Sequence, residues 1–232
     1  MTPAYRNELK FLVNQAEYRQ LQTVLHSLLG HDAHAGPDGG YHIRSLYFDD
    51  LYHTAYRQKM AGVEVRKKYR VRIYNCARQH IALECKYKNG AYIYKEAVPL
   101  TLQEYDALCR GDCGFLLGKP QPLAQQFFVE ARANIIRPNV IVAYDREAFV
   151  NDVGTVRITF DKTLTAMDPR QDLFDPAAPG YHVLHPGQMI LEVKFTGILP
   201  EYIQSIFRAY SFVRTSASKF CLCVDQVRHT LH

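Results

Sequence analysis

The chain has 232 residues, of which 47% are apolar, enough for one domain with a substantial core. Charged residues make up 22% and the formal net charge is only +5, a composition that argues against disordered and fibrous proteins. No apolar run approaches the roughly 18 residues of a membrane span, and MTPAYRNELKF has charges where a secretory signal is apolar, so a cytoplasmic location is expected.

The first half of the chain predicts an N-terminal strand, a capped helix and a group of antiparallel strands. Asn14, with Glu17 three residues later, has the pattern of a capping box ahead of apolar residues at helical spacing. Asn89-Gly90 is a typical hairpin turn between two alternating segments rich in Val, Ile and Tyr. The predicted strands after the helix are IRSLYFDD and the segments 63–74, 80–88 and 91–98, with a short helix at 50–60.

The second half predicts two helices followed by more strands. Thr101 with Glu104 indicates the first capped helix, and PLAQQFFVEARANI supplies the next. Nothing marks a domain boundary, so residues 1–232 are expected to form a single domain. The later predicted strands are 139–149, 155–162, 189–196 and 219–224, with a helix near 200–210.

The predicted strands have one apolar face and one charged face. Because side chains alternate along a strand, the segment from 63 onward places Val65, Tyr69 and Val71 on one side and a row of cations on the other. Like charges two residues apart repel by about 2.5 kcal/mol at an effective dielectric near 20. The charged faces are Glu64, Arg66, Lys68, Arg70 and Arg72; Glu84, Lys86 and Lys88; Glu192 and Lys194; Arg6, Glu8 and Lys10; Arg157 and Asp161; and Lys219.

A solvated sheet face is the simplest explanation for any one of these strands. The run of like charges favours instead a closed antiparallel barrel with the charged faces inside and helices packed outside. Such an interior is basic and suits a chain of phosphates, since Arg and Lys bind phosphate oxygens. The few acids among the cations would hold Mg²⁺ or Mn²⁺.

The chain resembles the polyphosphate polymerase domain of the vacuolar transporter chaperone (VTC) complex, within the triphosphate tunnel metalloenzyme (CYTH-like) superfamily. The resemblance covers nearly the whole chain and rests on RNELKF, KYRVRIY, LECKYKNG, VAYDREAF, VRITFD, ILEVKFTG and TSASKFCLCV. It implies an α+β fold with an eight-stranded antiparallel tunnel and helices outside. It further implies a metal-dependent enzyme, with Mn²⁺ or Mg²⁺, that extends inorganic polyphosphate from the terminal phosphate of ATP.

Carried over by position, the resemblance assigns functional residues. It implies metal binding by Glu192 with Glu8, and catalysis by Lys219 and Arg146 at the transferred phosphoryl group. The superfamily pattern E-x-E-x-K reads Arg6-Asn7-Glu8-Leu9-Lys10 in this chain, which favours the polymerase branch over the cyclase and thiamine-triphosphatase branches. The residues assigned to the phosphate chain are Lys10, Arg70, Arg72, Lys86, Lys95, Arg146, Arg157 and Lys219.

Two alternative functions use the same residues. With water as the acceptor, the protein would be a tripolyphosphate or polyphosphate hydrolase, in which Glu84 and Glu64 either orient the water or pair with neighbouring cations. Without catalysis, it would be a polyphosphate-binding module. Nucleic acid is not an expected partner, because the basic faces lack an aromatic stacking platform. Expected partners are ATP and polyphosphate, with a separate membrane protein for any translocation; the oligomeric state is left open.

Overall fold

The computed structural model describes residues 6–90, 92–151 and 155–231, which form an antiparallel sheet with helices. None of the helices in these ranges is long and apolar enough to cross a membrane. The strands are β1 Arg6–Val13, β2 Gly30–His31, β3 Gly40–Asp49, β4 Val65–Tyr74, β5 Ile81–Asn89, β6 Tyr92–Leu100, β7 Arg137–Val150, β8 Val156–Met167, β9 Tyr181–His182, β10 Met189–Thr196 and β11 Val213–Arg214. The helices are α1 Gln15–Leu28, α2 Thr54–Met60, α3 Leu102–Cys109, α4 Pro122–Asn134, α5 Glu201–Arg208 and α6 Lys219–Leu231, with a 3-10 helix at Gly114–Gly118.

The eleven described strands belong to one mostly antiparallel sheet. Its order is β11-β1-β10-β8-β7-β3-β4-β5-β6, with β2 paired to β7 and β9 paired to β8. The predicted α+β class is confirmed. The predicted closed eight-stranded barrel is wrong, because over residues 6–90, 92–151 and 155–231 the order ends at β11 and at β6 and no pairing joins them. Alternation reveals which face of a strand is buried, but it does not reveal which strands lie at the edges of the sheet.

The chain divides into two compact units. Unit 1 comprises Met1–His42, Tyr144–Leu164 and Leu184–Ala217, and unit 2 comprises Ile43–Ala143, Thr165–Val183 and Ser218–His232. The single domain expected over residues 1–232 stays a prediction.

Unit 1 has its core between α1 and the apolar faces of its strands. The capping box is present: the Asn14 side chain accepts hydrogen bonds from Ala16 and Glu17, and Glu17 accepts one from the Asn14 backbone at 2.7 Å. This cap satisfies N–H groups that the first turn leaves without helical partners. The buried residues Leu21 and Leu25 then pack with Phe149, Phe160 and Leu191.

Unit 2 has its core under α4, on the apolar side of β4 and β5. Tyr69 and Val71 on β4 are buried, as the alternation predicts, and they share a cluster with Leu83 and Phe127. The Phe127 ring meets the Tyr69 ring edge-on, with centroids 4.9 Å apart. The opposite side chains of β4 are therefore held on the other face of the sheet.

The predicted strand at 219–224 is wrong, because these residues begin α6. Phe220, Cys221, Cys223 and Val224 are buried, a spacing of one, two and one that follows a helical face and not a strand. Ser218 lies just before the helix, and its hydroxyl oxygen is 3.5 Å from the Cys221 amide. A strand would bury every second residue here, whereas two adjacent pairs are buried.

Phe127→Ala should lower the free energy of unfolding by about 3–5 kcal/mol, because it leaves a cavity in the core of unit 2. Val129→Ala on the same helix is the matched control, since Val129 is 61% exposed. Urea unfolding of both variants measures the difference. Equal stabilities for the two variants would show that Phe127 is not packed as described.

Candidate functional site

The charged sides of β4, β5 and β6 form one basic face in unit 2. The registers pair Arg66 with Lys88, Arg70 with Glu84, and Arg72 with Ala82. In the described part of this face, Glu84 is the one carboxylate. The cations of the basic face are Arg66, Lys68, Arg70 and Arg72 on β4, Lys86 and Lys88 on β5, and Lys95 on β6.

Three lysines stand side by side in the middle of the basic face. Lys86 is the register partner of Lys68 on β4 and of Lys95 on β6. Side chains in such positions are neighbours, and like charges there are destabilising. The row is a strongly positive part of this face, and phosphate oxygens are suitable partners for lysine.

Glu84 holds two of the cations together. Its Oε2 accepts a hydrogen bond from Arg70 Nε at 2.8 Å, and its Oε1 accepts one from Lys95 Nζ at 2.6 Å. Burial by itself raises the pKa of Glu84, but Arg70, Arg72 and Lys95 outweigh it and lower the pKa to about 2. Glu84 is therefore ionised at neutral pH and is a weak base.

Tyr47 and Ser45 on β3 extend the basic face. Arg70 Nη1 donates to the Tyr47 hydroxyl at 3.1 Å, and Arg72 Nε donates to Ser45 Oγ at 3.0 Å. Burial raises the pKa of Tyr47, but the nearby charges of Arg70, Arg72 and Lys68 lower it overall. The phenol hydroxyl thus lies in a strongly positive environment.

Lys219 is the first residue of α6, and its neighbours contact the basic face. Lys68 Nζ donates to Ser218 Oγ at 2.9 Å and lies 4.8 Å from the centroid of the Phe220 ring. That ring also packs on Tyr47, with centroids 4.9 Å apart. The start of α6, which includes Lys219, is therefore attached to this face in unit 2.

A second charged cluster lies in unit 1, on β1 and β10. Lys10 Nζ is 3.4 Å from Glu192 Oε1 and 3.7 Å from Glu8 Oε1. Lys194 Nζ is 3.2 Å from Glu192 Oε2 and 3.6 Å from Glu8 Oε1. Two carboxylates thus share two ammonium groups, all at distances longer than the 2.7–2.9 Å of a tight charged hydrogen bond.

Arg146 on β7 also belongs to the cluster in unit 1. Its Nε and Nη2 donate to the two oxygens of the buried Asp161 at 2.6 and 2.8 Å, and Nη2 is 3.7 Å from Glu192. Burial lowers the pKa of Arg146, but Asp161, Tyr144 and Glu192 raise it well above its usual value. Tyr144 is 3% exposed, and the centroid of its ring lies 5.2 Å from Arg146 Cζ.

Thr159 on β8 supplies an oxygen without a partner. It is the register neighbour of Glu192, it is fully buried, and its Oγ1 has no hydrogen-bond partner within the ranges that the structure describes. A buried oxygen of this kind is available to accept a hydrogen bond or to coordinate a cation. Glu8, Glu192 and Thr159 offer only oxygen donors, which fit Mg²⁺ or Mn²⁺ with phosphate oxygens and water completing the shell.

Arg157 forms side-chain contacts that the sequence did not predict. Its guanidinium forms an ion pair with Asp32 and a hydrogen bond to the Tyr41 hydroxyl at 2.8 Å. Burial raises the pKa of Asp32, but the His34 amide and Arg157 lower it overall.

The ten predicted site residues fall into the two units. Unit 1 brings Glu8, Lys10, Arg146 and Glu192 together and has Arg157 paired with Asp32. Unit 2 has Arg70, Arg72, Lys86, Lys95 and Lys219. Their functional roles stay predictions.

Sequence reasoning assigned no role to several residues that the structure adds to these clusters. Alternation along their strands could have indicated Lys68 and Lys194 as members of the charged faces. It could also have indicated Thr159, which lies on the same face of its strand as Arg157. Tyr47 and Asp32 have no comparable signal, because only the fold brings them to their arginines.

The model of the VTC domain family matches residues 5–228. Among solved structures, a candidate adenylate cyclase from Bacillus halodurans is 12% identical with a TM-score of 0.55, and covers 99% of this chain and 97% of its own. HpAC1 from Hippeastrum, a candidate adenylyl cyclase described as having a dominant triphosphatase activity, is 11% identical with a TM-score of 0.57 and 95% coverage of both chains. These likenesses show a shared fold. No curated protein sequence matches the chain.

Glu84→Gln should change the pH dependence of stability. The pKa of Glu84 is about 2 against an ordinary 4.5, so its stabilisation is present above about pH 4.5 and is lost as the pH falls toward 2. Between these limits, the free energy of unfolding of the wild type should fall by up to about 3 kcal/mol more than that of the variant. Guanidinium unfolding across this range measures it.

Glu64→Gln is the matched control for Glu84→Gln. It also removes one negative charge, but from an exposed carboxylate just before β4. Parallel curves for wild type and Glu84→Gln would contradict the ion pairs described for Glu84.

Proposed function

The chain belongs to the VTC domain family, and we propose that it is an ATP-dependent polyphosphate polymerase, which transfers the terminal phosphate of ATP to a growing chain of inorganic polyphosphate. The observation that carries this proposal is the row of Lys68, Lys86 and Lys95 on three adjacent strands. ATP and polyphosphate are the proposed ligands. A separate membrane protein as partner remains part of the proposal, for any translocation of the product.

The extent of the basic face favours a polymer over a single triphosphate. From Arg66 to Arg72 it runs about 20 Å along β4, and cations continue onto both neighbouring strands. The seven cations outnumber Glu84, the carboxylate of this face within the described β4, β5 and β6, by more charge than the triphosphate of one nucleotide carries. A longer phosphate chain would satisfy the whole row.

The protein's chemical role in phosphoryl transfer is to position groups and to neutralise developing charge. We assign Arg70, Arg72, Lys86 and Lys95 to holding the phosphate chain. Lys219 is assigned to the transferred phosphoryl group, because Ser218 and Phe220 on either side of it contact Lys68, directly and by ring packing. The positive end of the α6 helix dipole favours an anion at the same place.

Unit 1 supplies the proposed metal ligands. Glu192 with Glu8 would hold the divalent cation, and Thr159 offers a further oxygen. When bound, the cation would neutralise charge on phosphate oxygens. Asp161 fixes Arg146 at two of its three guanidinium nitrogens, Nε and Nη2, so its remaining N–H donors are oriented before any substrate binds. Lys10 and Arg157 would contribute positive charge to phosphate oxygens in this unit.

Hydrolysis is the second candidate function, since HpAC1 is described as having a dominant triphosphatase activity. A hydrolase needs a base or a polar group that orients water. Glu84 is poorly suited, because Arg70 and Lys95 occupy its oxygens and its pKa is about 2. This favours the phosphate chain over water as the acceptor.

Lys86→Ala should abolish most polymer synthesis, because it removes the centre of the lysine row. Lys67→Ala is the matched control: Lys67 lies on β4 one residue from Lys68, but it points to the opposite face and pairs with Glu130. The measurement is a gel assay for long phosphate polymer after incubation with ATP and Mn²⁺, with digestion by a polyphosphatase to verify the product. Lys219→Ala should likewise lose nearly all turnover.

Three results of this assay would contradict the proposal. Free phosphate without polymer would move the assignment to a hydrolase, and intact ATP would move it to a polyphosphate-binding module. Full polymer synthesis by Lys86→Ala would remove the basic face from the function.

Glu192→Gln should raise the Mn²⁺ concentration needed for half-maximal activity by at least about tenfold, because the amide is a much weaker ligand for a divalent cation. Glu17→Gln is the control, since Glu17 is a half-buried carboxylate of unit 1 that serves the α1 cap. A Mn²⁺ titration of initial rates gives both values. An unchanged Mn²⁺ requirement in Glu192→Gln would place the metal on other residues.

A further inference from the structure

Two histidines and a buried glutamate meet in unit 1, away from the residues assigned to phosphate and metal above. The nitrogen and oxygen atoms that His26, His31 and Glu147 offer as ligands all lie within 4.8 Å of one another. We call these three residues the histidine cluster. His26 Nε2 is 3.7 Å from Glu147 Oε1.

The fold brings the histidine cluster together from three elements. His26 is in the last turn of α1, and His31 is in β2, which pairs with β7 so that His31 is opposite Phe149. Glu147 shares the parity of Phe149 on β7. His26 and His31 are separated by four residues, within the three to five that separate paired histidine ligands in zinc sites.

Aromatic packing orients both imidazoles. The His26 ring meets the Phe149 ring edge-on at 5.0 Å, and the His31 ring packs on Phe149 at 4.9 Å. Gly39 lies against the other side: a Cβ there would be 2.9 Å from His31 Cε1, and its φ of +74° favours glycine. A side chain at this position would therefore collide with the imidazole, and glycine lets the loop pack against it.

A supporting layer of donors holds the Glu147 carboxylate. Tyr18 OH donates to Oε2 at 2.6 Å, Lys162 Nζ donates to Oε2 at 3.2 Å, and Gln22 Nε2 donates to Oε1 at 2.8 Å. Such contacts to a ligating side chain are typical of metal sites, where they fix its orientation. Oε1 faces His26 and keeps a lone pair for a further interaction.

The histidine cluster opens into a cleft of about 460 Å³. The cleft is also lined by Gln22, Asp32 and the loop from Ala35 to Gly39. A metal held by three protein ligands would therefore have room for a fourth, exogenous ligand, as in zinc sites that exchange water.

We propose that His26, His31 and Glu147 bind one Zn²⁺ ion, with its fourth coordination position open to the cleft. Two imidazoles and one carboxylate suit zinc and not Mg²⁺ or Ca²⁺, which take oxygen ligands. The ion would link the end of α1, β2 and β7, and so would stabilise unit 1. This site is distinct in donor chemistry from the all-oxygen set of Glu8, Glu192 and Thr159.

The test is calorimetric titration of the full chain, with any affinity tag removed and Mg²⁺ in excess, using Zn²⁺ as the probe. One equivalent should bind, and zinc should raise the melting temperature. His26→Ala and His31→Ala should each weaken binding by more than about tenfold, and Tyr18→Phe by about 10- to 100-fold. His185→Ala is the matched control, since His185 is an exposed histidine of unit 1.

Co²⁺ provides a second readout that separates these residues from the six cysteines. The proposal expects visible ligand-field bands without the intense near-ultraviolet charge transfer of a cobalt–thiolate bond, and their loss in His26→Ala. His26 is 47% exposed, so this variant should fold, which circular dichroism verifies. The absence of zinc binding, equal binding by His26→Ala and His185→Ala, or a thiolate spectrum would each overturn it.

Discussion

The basic face of unit 2 is constrained by the repulsion among its own side chains. Lys68, Lys86 and Lys95 are register neighbours, and Glu84 is the one carboxylate on that face among the described residues. Each like-charged pair opposes folding, so these strands depend on the ion pairs of Glu84 and on packing of their other side. There, Tyr69 packs with Phe127 and the rest of the unit 2 core.

In unit 1, the repulsion between like charges is reduced by neighbouring charges of the opposite sign. Its cluster nearly balances acids and bases: Glu8 and Glu192 share Lys10 and Lys194, while Asp161 holds Arg146 through both oxygens. Pairs at 3.2–3.7 Å rearrange at little cost, whereas the bidentate pair at 2.6–2.8 Å is rigid. Because Arg146 is held rigidly while the Glu8 and Glu192 carboxylates are held loosely, the carboxylates can move to bind a cation and the position of Arg146 does not change.

Much of this could be predicted from alternation alone, because each strand has one buried face. Arg70, Arg72 and Lys86 were identified in this way, and α1 and α3 were predicted from their capping boxes. Lys95 has Ile93 and Ala97 at its own parity, so only the register with Lys86 reveals its face. Lys219 was placed on a strand because alternation and helical spacing are hard to separate over six residues. Closure of the sheet and the pairing of Arg157 with Asp32 depend on contacts distant in sequence, which local patterns do not encode.

The crowded lysine row ties the folding equilibrium of the chain to its surroundings. A polyanion that binds only the folded form shifts that equilibrium by mass action, in proportion to the logarithm of its concentration. Removing one of these charges would relieve repulsion within the row and, under the proposed function, would weaken binding of the phosphate chain. The row thus sets the stability of the ligand-free protein against its affinity for an anion, and under the proposed function the folded fraction would rise with the concentration of phosphate polymer.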